Sequence, residues 1–94
     1  MNKNKILEKL QEIKPILKDK FDVEGIFLVG SYAKNNFNKD SDIDLIVEMP
    51  ASFDKFFDLK YFLEKTFNKK IDLAIKGSIR NYIKKDIEKD MINV

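Results

Sequence analysis

The chain of 94 residues contains no cysteine and no histidine, and Arg80 is its only arginine. The absence of cysteine excludes disulfide bonds and thiolate zinc sites, and it is typical of a reducing compartment. Without histidine, acid-base or metal chemistry has to come from carboxylates, lysines, tyrosines or hydroxyl groups. The composition therefore directs attention to the 16 acidic residues.

Long hydrophobic runs and a strong net charge are missing as well. The apolar runs span only a few residues and the N-terminal segment MNKNKILEKL is charged, so we expect neither a membrane span nor an export signal. The 18 basic and 16 acidic residues give a formal charge of +2, which is too small to indicate direct nucleic-acid binding. We expect a cytoplasmic protein whose single domain spans residues 1–94.

Hydrophobic periodicity predicts helices that alternate with short strands. The first twenty residues have helical spacing, which Pro15 is expected to break or restart. Strands are predicted at 26–29, 43–48 and 69–75, and helices at 53–67 after a Ser52 cap and after a Ser78 cap. A short helix or turn is predicted at 31–36. The order α-β-α-β-α-β-α favours an α/β (α+β) fold, with helices packed on a small mixed sheet.

Five of the eight phenylalanines lie in the predicted helix between Ser52 and Phe67. Together with its leucines they form a broad apolar face at helical spacing. Such a stripe predicts a core face, or a core face that continues into a partner surface, rather than a cofactor site.

Acidic residues interrupt two of the predicted strands. Asp42 and Asp44 are two residues apart in SDIDLIVE, so their side chains should project from the same face. Asp72 lies between apolar residues in IDLAI and could join them if the two strands are neighbours. Clustered carboxylates repel one another and raise each other's pKa unless a cation compensates, and oxygen ligands favour magnesium or manganese.

A calcium-binding loop is the competing interpretation, because Asp40, Asp42 and Asp44 match the first three ligand positions of an EF-hand. The sixth position of such a loop requires glycine, and here it is Leu45. The twelfth requires a bidentate glutamate, and here it is Ala51. The EF-hand interpretation is therefore rejected.

Gly30 and Ser31 follow the first predicted strand directly. A glycine at this point lets the backbone approach a phosphate, and a helix that begins at Ser31 directs N–H groups toward it. Gly-Ser and Asp-x-Asp are each weak signals alone. Their order, with a lone aspartate on the third strand, is a specific pattern that suits a nucleoside triphosphate.

The segment GSYAKNNFNKDSDIDLIVE resembles the signature of the polymerase-beta-like nucleotidyltransferases, and the short chain resembles their minimal nucleotidyltransferase branch. The resemblance implies that Gly30 and Ser31 hold the triphosphate of ATP and that Asp42 and Asp44 bind two Mg²⁺ ions. It also implies that Asp72 completes the metal site and assists the attacking hydroxyl.

Family members often have GSxARG where this chain has GSYAKN. Lys34 keeps the positive charge of the arginine without its planar fork, and Asn35 replaces the glycine at a position where a positive φ is expected.

Minimal members of the family are typically antitoxins that transfer AMP from ATP to a tyrosine of a HEPN-domain RNase toxin. The resemblance therefore implies a protein adenylyltransferase with a HEPN toxin as its partner. Two alternatives stay open. The chain could nucleotidylate a small molecule such as an aminoglycoside, or it could mask the toxin without catalysis.

Overall fold

A computed structural model describes residues 1–78 and 90–94 of the chain. The elements follow one another as α1 (Lys3–Phe21), β1 (Gly25–Val29), α2 (Gly30–Lys34), β2 (Ile43–Glu48), α3 (Phe53–Phe67), β3 (Ile71–Ile75), a 3-10 turn (Lys76–Ser78) and β4 (Ile92–Asn93). The predicted alternation is confirmed as far as β3. The helix predicted after Ser78 lies outside the described residues.

Both long helices begin at side-chain caps. The Asn2 side chain accepts a hydrogen bond from the Lys5 N–H at the start of α1, at 2.9 Å. The Ser52 hydroxyl accepts one from the Lys55 N–H at the start of α3, as the sequence predicts. Neither these two helices nor any other in the described part of the chain is long and apolar enough to cross a bilayer.

Pro15 does not break α1, so the predicted interruption is wrong. The proline ring is exposed, and the carbonyl that loses its helical partner belongs to the equally exposed Gln11, where water can solvate it. An internal proline costs about 3 kcal/mol. Burial of an apolar side chain contributes about 1.5 to 3 kcal/mol, and α1 buries five: Ile6, Leu10, Ile13, Leu17 and Phe21.

The four described strands form one mixed sheet in the order β3-β2-β1-β4. The β2 and β3 strands run parallel, whereas β1 is antiparallel to both β2 and β4. The mixed sheet is the one predicted, although β3 begins at Ile71 rather than at residue 69. The short β4 was not predicted, because two residues carry no recognisable strand pattern and pairing with β1 defines them.

Helices α1 and α3 cover one face of the sheet. Alternate strand residues, among them Leu28, Leu45 and Leu73, point into this core. The aromatic face of α3 is divided, since Leu59, Leu63 and Phe67 are buried whereas Phe53 and Phe57 are exposed. The predicted core face of α3 is confirmed, and the partner surface stays a prediction.

The other face of the sheet carries a smaller apolar cluster of Phe27, Val29 and Ile46, with Met91 packed against it. Asp44 and Ile46 are two residues apart on β2, so Asp44 belongs to this second face. The acidic residues therefore lie on the side of the sheet opposite α1 and α3.

Candidate active site

Three strands bring the predicted site residues to the same end of the sheet. In the sheet register, Val29 at the end of β1 pairs with Asp44, and Asp44 pairs with Asp72 near the start of β3. Gly30 and Ser31 follow Val29 directly, at the first turn of α2. Asp42 comes immediately before β2 and is half-buried, as Asp44 is. All five predicted residues thus converge.

The carboxyl group of Asp44 has an unusual proton affinity. Its pKa is raised to about 6, first by burial and then by the neighbouring carboxylate of Asp72, which acts through its charge and through a hydrogen bond between the two groups. The charge of Asp42 adds a smaller effect of the same sign. The pKa of Asp44 therefore responds to both other aspartates, and no positive charge from the described residues is among its causes.

Gly30 lies directly against Asp44. Its φ of +74° is in the left-handed region, which favours glycine. A Cβ added to Gly30 would stand 2.8 Å from Cγ and 3.0 Å from Cβ of Asp44, and it would overlap the Oδ2 atom. Both the backbone conformation and the space for the carboxylate require glycine. Sequence reasoning assigned Gly30 to phosphate contact and missed this support of Asp44.

The short helix α2 ends at Asn35, whose φ of +63° confirms the positive φ expected at this position. Its backbone N–H donates to the carbonyl of Tyr32 at 3.2 Å, which closes the helix. No side chain caps the start of α2 at Val29. The exposed Lys34 ammonium lies 4.0 Å from Asp90 Oδ2, an ion pair that screening keeps weak.

The three aspartates form an all-oxygen donor set of the kind that hard divalent cations prefer. Within residues 1–78 and 90–94, no three acidic side chains already surround one point that could hold an ion. The neighbouring carboxyl group of Asp72 favours the protonated form of Asp44. A cation bound there would take the place of that proton, so the residues present fit a cation site.

The raised pKa of Asp44 predicts a pH dependence of stability in protein kept free of metal with a chelator. The folded state keeps this proton up to about pH 6, whereas an unfolded chain releases it near pH 4. The free energy of unfolding should therefore fall as pH rises from about 4 to 6. We expect a loss of about 1 kcal/mol, because partial solvent exposure screens the interaction.

The Asp44→Asn variant isolates this contribution. Urea denaturation of wild type and variant at several pH values measures the difference between their free energies of unfolding. We expect the free energy of unfolding of the wild type to fall relative to that of Asp44→Asn as the pH rises from 4 to 6. A difference that stays constant over this range would show that Asp44 titrates normally.

Residues 10–94 match the family described as the nucleotidyltransferase domain. The chain belongs to this nucleotidyltransferase family. The match covers the four described strands and the five predicted site residues, and it identifies the chain as a nucleotidyltransferase.

Two relatives show how closely the nucleotidyltransferase chain resembles named proteins. A chain of Methanocaldococcus jannaschii with the provisional name protein adenylyltransferase is 46% identical over 94 residues, which cover 97% of this chain and 96% of the relative. Protein adenylyltransferase MntA of Thermococcus cleftensis is 33% identical over 95 residues, with 94% of this chain and 95% of the relative covered. Each alignment spans almost the whole length of this chain and of the relative.

Solved structures share the fold. A minimal nucleotidyltransferase matches with a TM-score of 0.84 and 17% identity, over 100% of this chain and 97% of its own. A chain of a toxin-antitoxin structure with AMP-PNP matches at 0.69 and 23% identity, over 99% and 72%. A structure of a tri-AMPylated Shewanella oneidensis HEPN toxin with its MNT antitoxin matches at 0.60 and 22%, over 98% and 67%. The predicted nucleotidyltransferase fold is confirmed.

Proposed function

We propose that this chain is a protein adenylyltransferase that transfers AMP from ATP to a tyrosine of a HEPN-type toxin and thereby acts as its antitoxin. One observation carries the proposal. Gly30 and Ser31 converge with three carboxylates, Asp42, Asp44 and Asp72, at one end of the sheet. The names of the two relatives support AMP transfer, and the toxin-antitoxin structures with AMP-PNP and with an AMPylated HEPN toxin support the nucleotide and the partner.

Gly30 and Ser31 are proposed to hold the triphosphate of ATP. The left-handed backbone of Gly30 packs directly against Asp44, so a triphosphate bound at the carboxylates would lie beside the backbone of the β1–α2 junction. The half-buried Ser31 offers a hydroxyl and a backbone N–H in the same place. Hydrogen bonds to charged oxygens contribute about 1.5 to 3 kcal/mol each, so these two residues can orient the nucleotide.

Asp42, Asp44 and Asp72 are proposed to hold two Mg²⁺ ions, the cation that suits a carboxylate site beside a triphosphate. When bound, Mg²⁺ stabilises the negative charge that develops on the phosphate and lowers the pKa of a nearby hydroxyl. The three carboxylates fix the position of the cations and, with them, the position of the nucleotide. The raised pKa of Asp44 is consistent with a carboxylate whose ionised form is destabilised by burial and by its acidic neighbours and would be stabilised by a bound cation.

The reaction is an in-line displacement at the α-phosphorus of ATP. The tyrosine oxygen of the acceptor forms a bond to this phosphorus, and the bond from the phosphorus to the pyrophosphate oxygen breaks. Asp72, exposed at the edge of the site, is proposed to take the proton from the tyrosine hydroxyl. The products are AMP-tyrosine and pyrophosphate, and we propose that the reaction takes place in the cytoplasm, where ATP is available.

The proposal is tested with a HEPN-domain protein that copurifies with this chain. We expect the intact mass of the partner to increase by one or more AMP units after incubation with ATP and Mg²⁺, and we expect the modification to lie on tyrosine. Omission of Mg²⁺ is the control that should prevent the mass change.

Two results would contradict the proposal. If the unmodified partner is inhibited by this chain without any ATP, the protein is a masking module. If an aminoglycoside gains AMP and the HEPN partner does not, the acceptor is a small molecule. In either case the partner's tyrosine is not the substrate.

A further inference from the structure

The turn between α3 and β3 is connected to both acidic segments of the site. The carbonyl of Lys70 in this turn accepts a hydrogen bond from the Ile43 N–H at 3.1 Å. Ile43 lies between Asp42 and Asp44 in the sequence. The turn therefore holds the backbone of the first acidic pair, while it leads directly into the strand that carries Asp72.

Glu64 holds the other side of this turn. Its Oε2 atom accepts a hydrogen bond from the Ile71 N–H at 3.2 Å, in a partly buried place. Ile71 is the first residue of β3 and precedes Asp72. Since β3 lies at the edge of the described sheet, its outer N–H groups need partners other than a neighbouring strand, and Ile71 finds one in Glu64.

The position of Glu64 within α3 is unfavourable for the helix itself. It lies in the last turn, where a negative charge opposes the negative end of the helix macrodipole. Its carbonyl also accepts hydrogen bonds from the Lys69 and Asn68 N–H groups, so the backbone around Glu64 already closes the helix. The Glu64 carboxylate therefore does not cap the helix. It accepts a hydrogen bond from β3 instead.

We infer that Glu64 is a positioning residue of the nucleotidyltransferase site, which fixes the start of β3 so that Asp72 stands opposite Asp44. The physical reason is the two-residue period of a strand. A slip of one residue between β2 and β3 would turn Asp72 to the other face of the sheet, away from Asp44. The hydrogen bond from Ile71 to Glu64 opposes such a slip at the residue before Asp72. The inference rests on the proposed function.

The experiment measures binding of Mn²⁺, as a spectroscopic substitute for Mg²⁺, to the full chain with a non-hydrolysable ATP analogue. Electron paramagnetic resonance reports the Mn²⁺ concentration at half-saturation. We expect Glu64→Ala to raise this concentration about tenfold, the lower end of the loss seen when groups that orient metal ligands are removed. Glu64→Gln should stay within about twofold of wild type, since its amide oxygen can accept the same hydrogen bond.

Thr66→Ala is the matched control. The Thr66 hydroxyl donates to the Phe62 carbonyl at 2.8 Å, in the same turn of α3 and also partly buried. Unlike Glu64, it has no recorded hydrogen bond to the first residue of β3 among the described residues. This variant should lower the melting temperature and leave Mn²⁺ half-saturation unchanged. If Glu64→Ala does not fold, Glu64→Asp takes its place, because its carboxylate is one methylene too short to reach Ile71.

The outcomes separate this inference from the proposed function. If wild type binds Mn²⁺ and Glu64→Ala binds it equally well, Glu64 is not a positioning residue although the metal site stands. The same conclusion follows if Thr66→Ala weakens binding as much as Glu64→Ala, or if Glu64→Gln fails to restore it. If wild type itself binds no Mn²⁺, the proposed metal site fails and the inference fails with it.

Discussion

Asp42→Asn and Asp44→Asn are each expected to lower the rate of AMP transfer to the HEPN partner by at least about a thousandfold, since a bound metal ion supplies several kcal/mol of transition-state stabilisation. Each substitution removes one negative charge from the site while it keeps the size of the side chain. Single-turnover assays, with intact mass as the readout, measure the loss.

Asp40→Asn is the matched control for these variants. Asp40 is an exposed aspartate only two residues before Asp42, and its side chain accepts no hydrogen bond recorded in the described part of the chain. We expect it to retain wild-type transfer. The Asp44→Asn fold should be at least as stable as wild type without metal, because a repelling charge is gone. Equal rates of AMP transfer for Asp40→Asn and Asp44→Asn would show that the site carboxylates have no role in the reaction.

Gly30→Ala is expected to lower the free energy of unfolding by about 2 to 4 kcal/mol, from the left-handed backbone and from overpacking together. The added methyl group would meet Asp44, as the distances to its Cβ and Cγ show. Displacement of Asp44 should also abolish binding of the nucleotide and the metal. Urea denaturation and calorimetric titration with a non-hydrolysable ATP analogue measure the two effects.

Gly77→Ala is the control for this prediction. Gly77 has no positive φ, and among the described residues no atom lies within 4 Å of a Cβ added there. We expect a change within about 0.5 kcal/mol, as for most surface substitutions. If Gly30→Ala is as stable as Gly77→Ala and binds nucleotide normally, the contact with Asp44 does not require glycine.

The sequence predicts which face of a strand the acidic residues occupy, but it does not predict which of them lie next to one another. Asp42 and Asp44 alternate with apolar residues, which predicts a shared face whatever the neighbouring strand is. The expectation that Asp72 joins them depended on β2 and β3 being neighbours. The parallel register that pairs Asp44 with Asp72 settles this point, and it involves residues far apart in the chain.

Glu64 was not identified from the sequence, because a lone acidic residue on a helix is usually a solvated surface group. Its place in the last turn of α3, where a carboxylate opposes the helix macrodipole, is the signal that could have drawn attention to it. The hydrogen bond from Ile71 to Glu64 depends on how the end of α3 packs beside the start of β3, which the local sequence does not specify.

The sequence by itself determined the local structure of this protein. The Ser52 cap and the strand at Ile43–Glu48 follow from short patterns, because capping and side-chain alternation depend on neighbouring residues. The left-handed Asn35 was expected from the resemblance to GSxARG, where a glycine stands at this position. These patterns were sufficient to order the site residues along the chain and to suggest a triphosphate site, and the family resemblance of the segment that carries them implied a nucleotidyltransferase.

Only the tertiary structure decided which of these residues touch. The contact of Gly30 with Asp44, the pairing of Asp44 with Asp72 and the addition of β4 to β1 all join separate segments. The continuity of α1 through Pro15 has the same origin, since burial of its apolar face against the sheet outweighs the local cost of the proline. Packing free energy is shared among distant residues, and local sequence does not specify how it is divided.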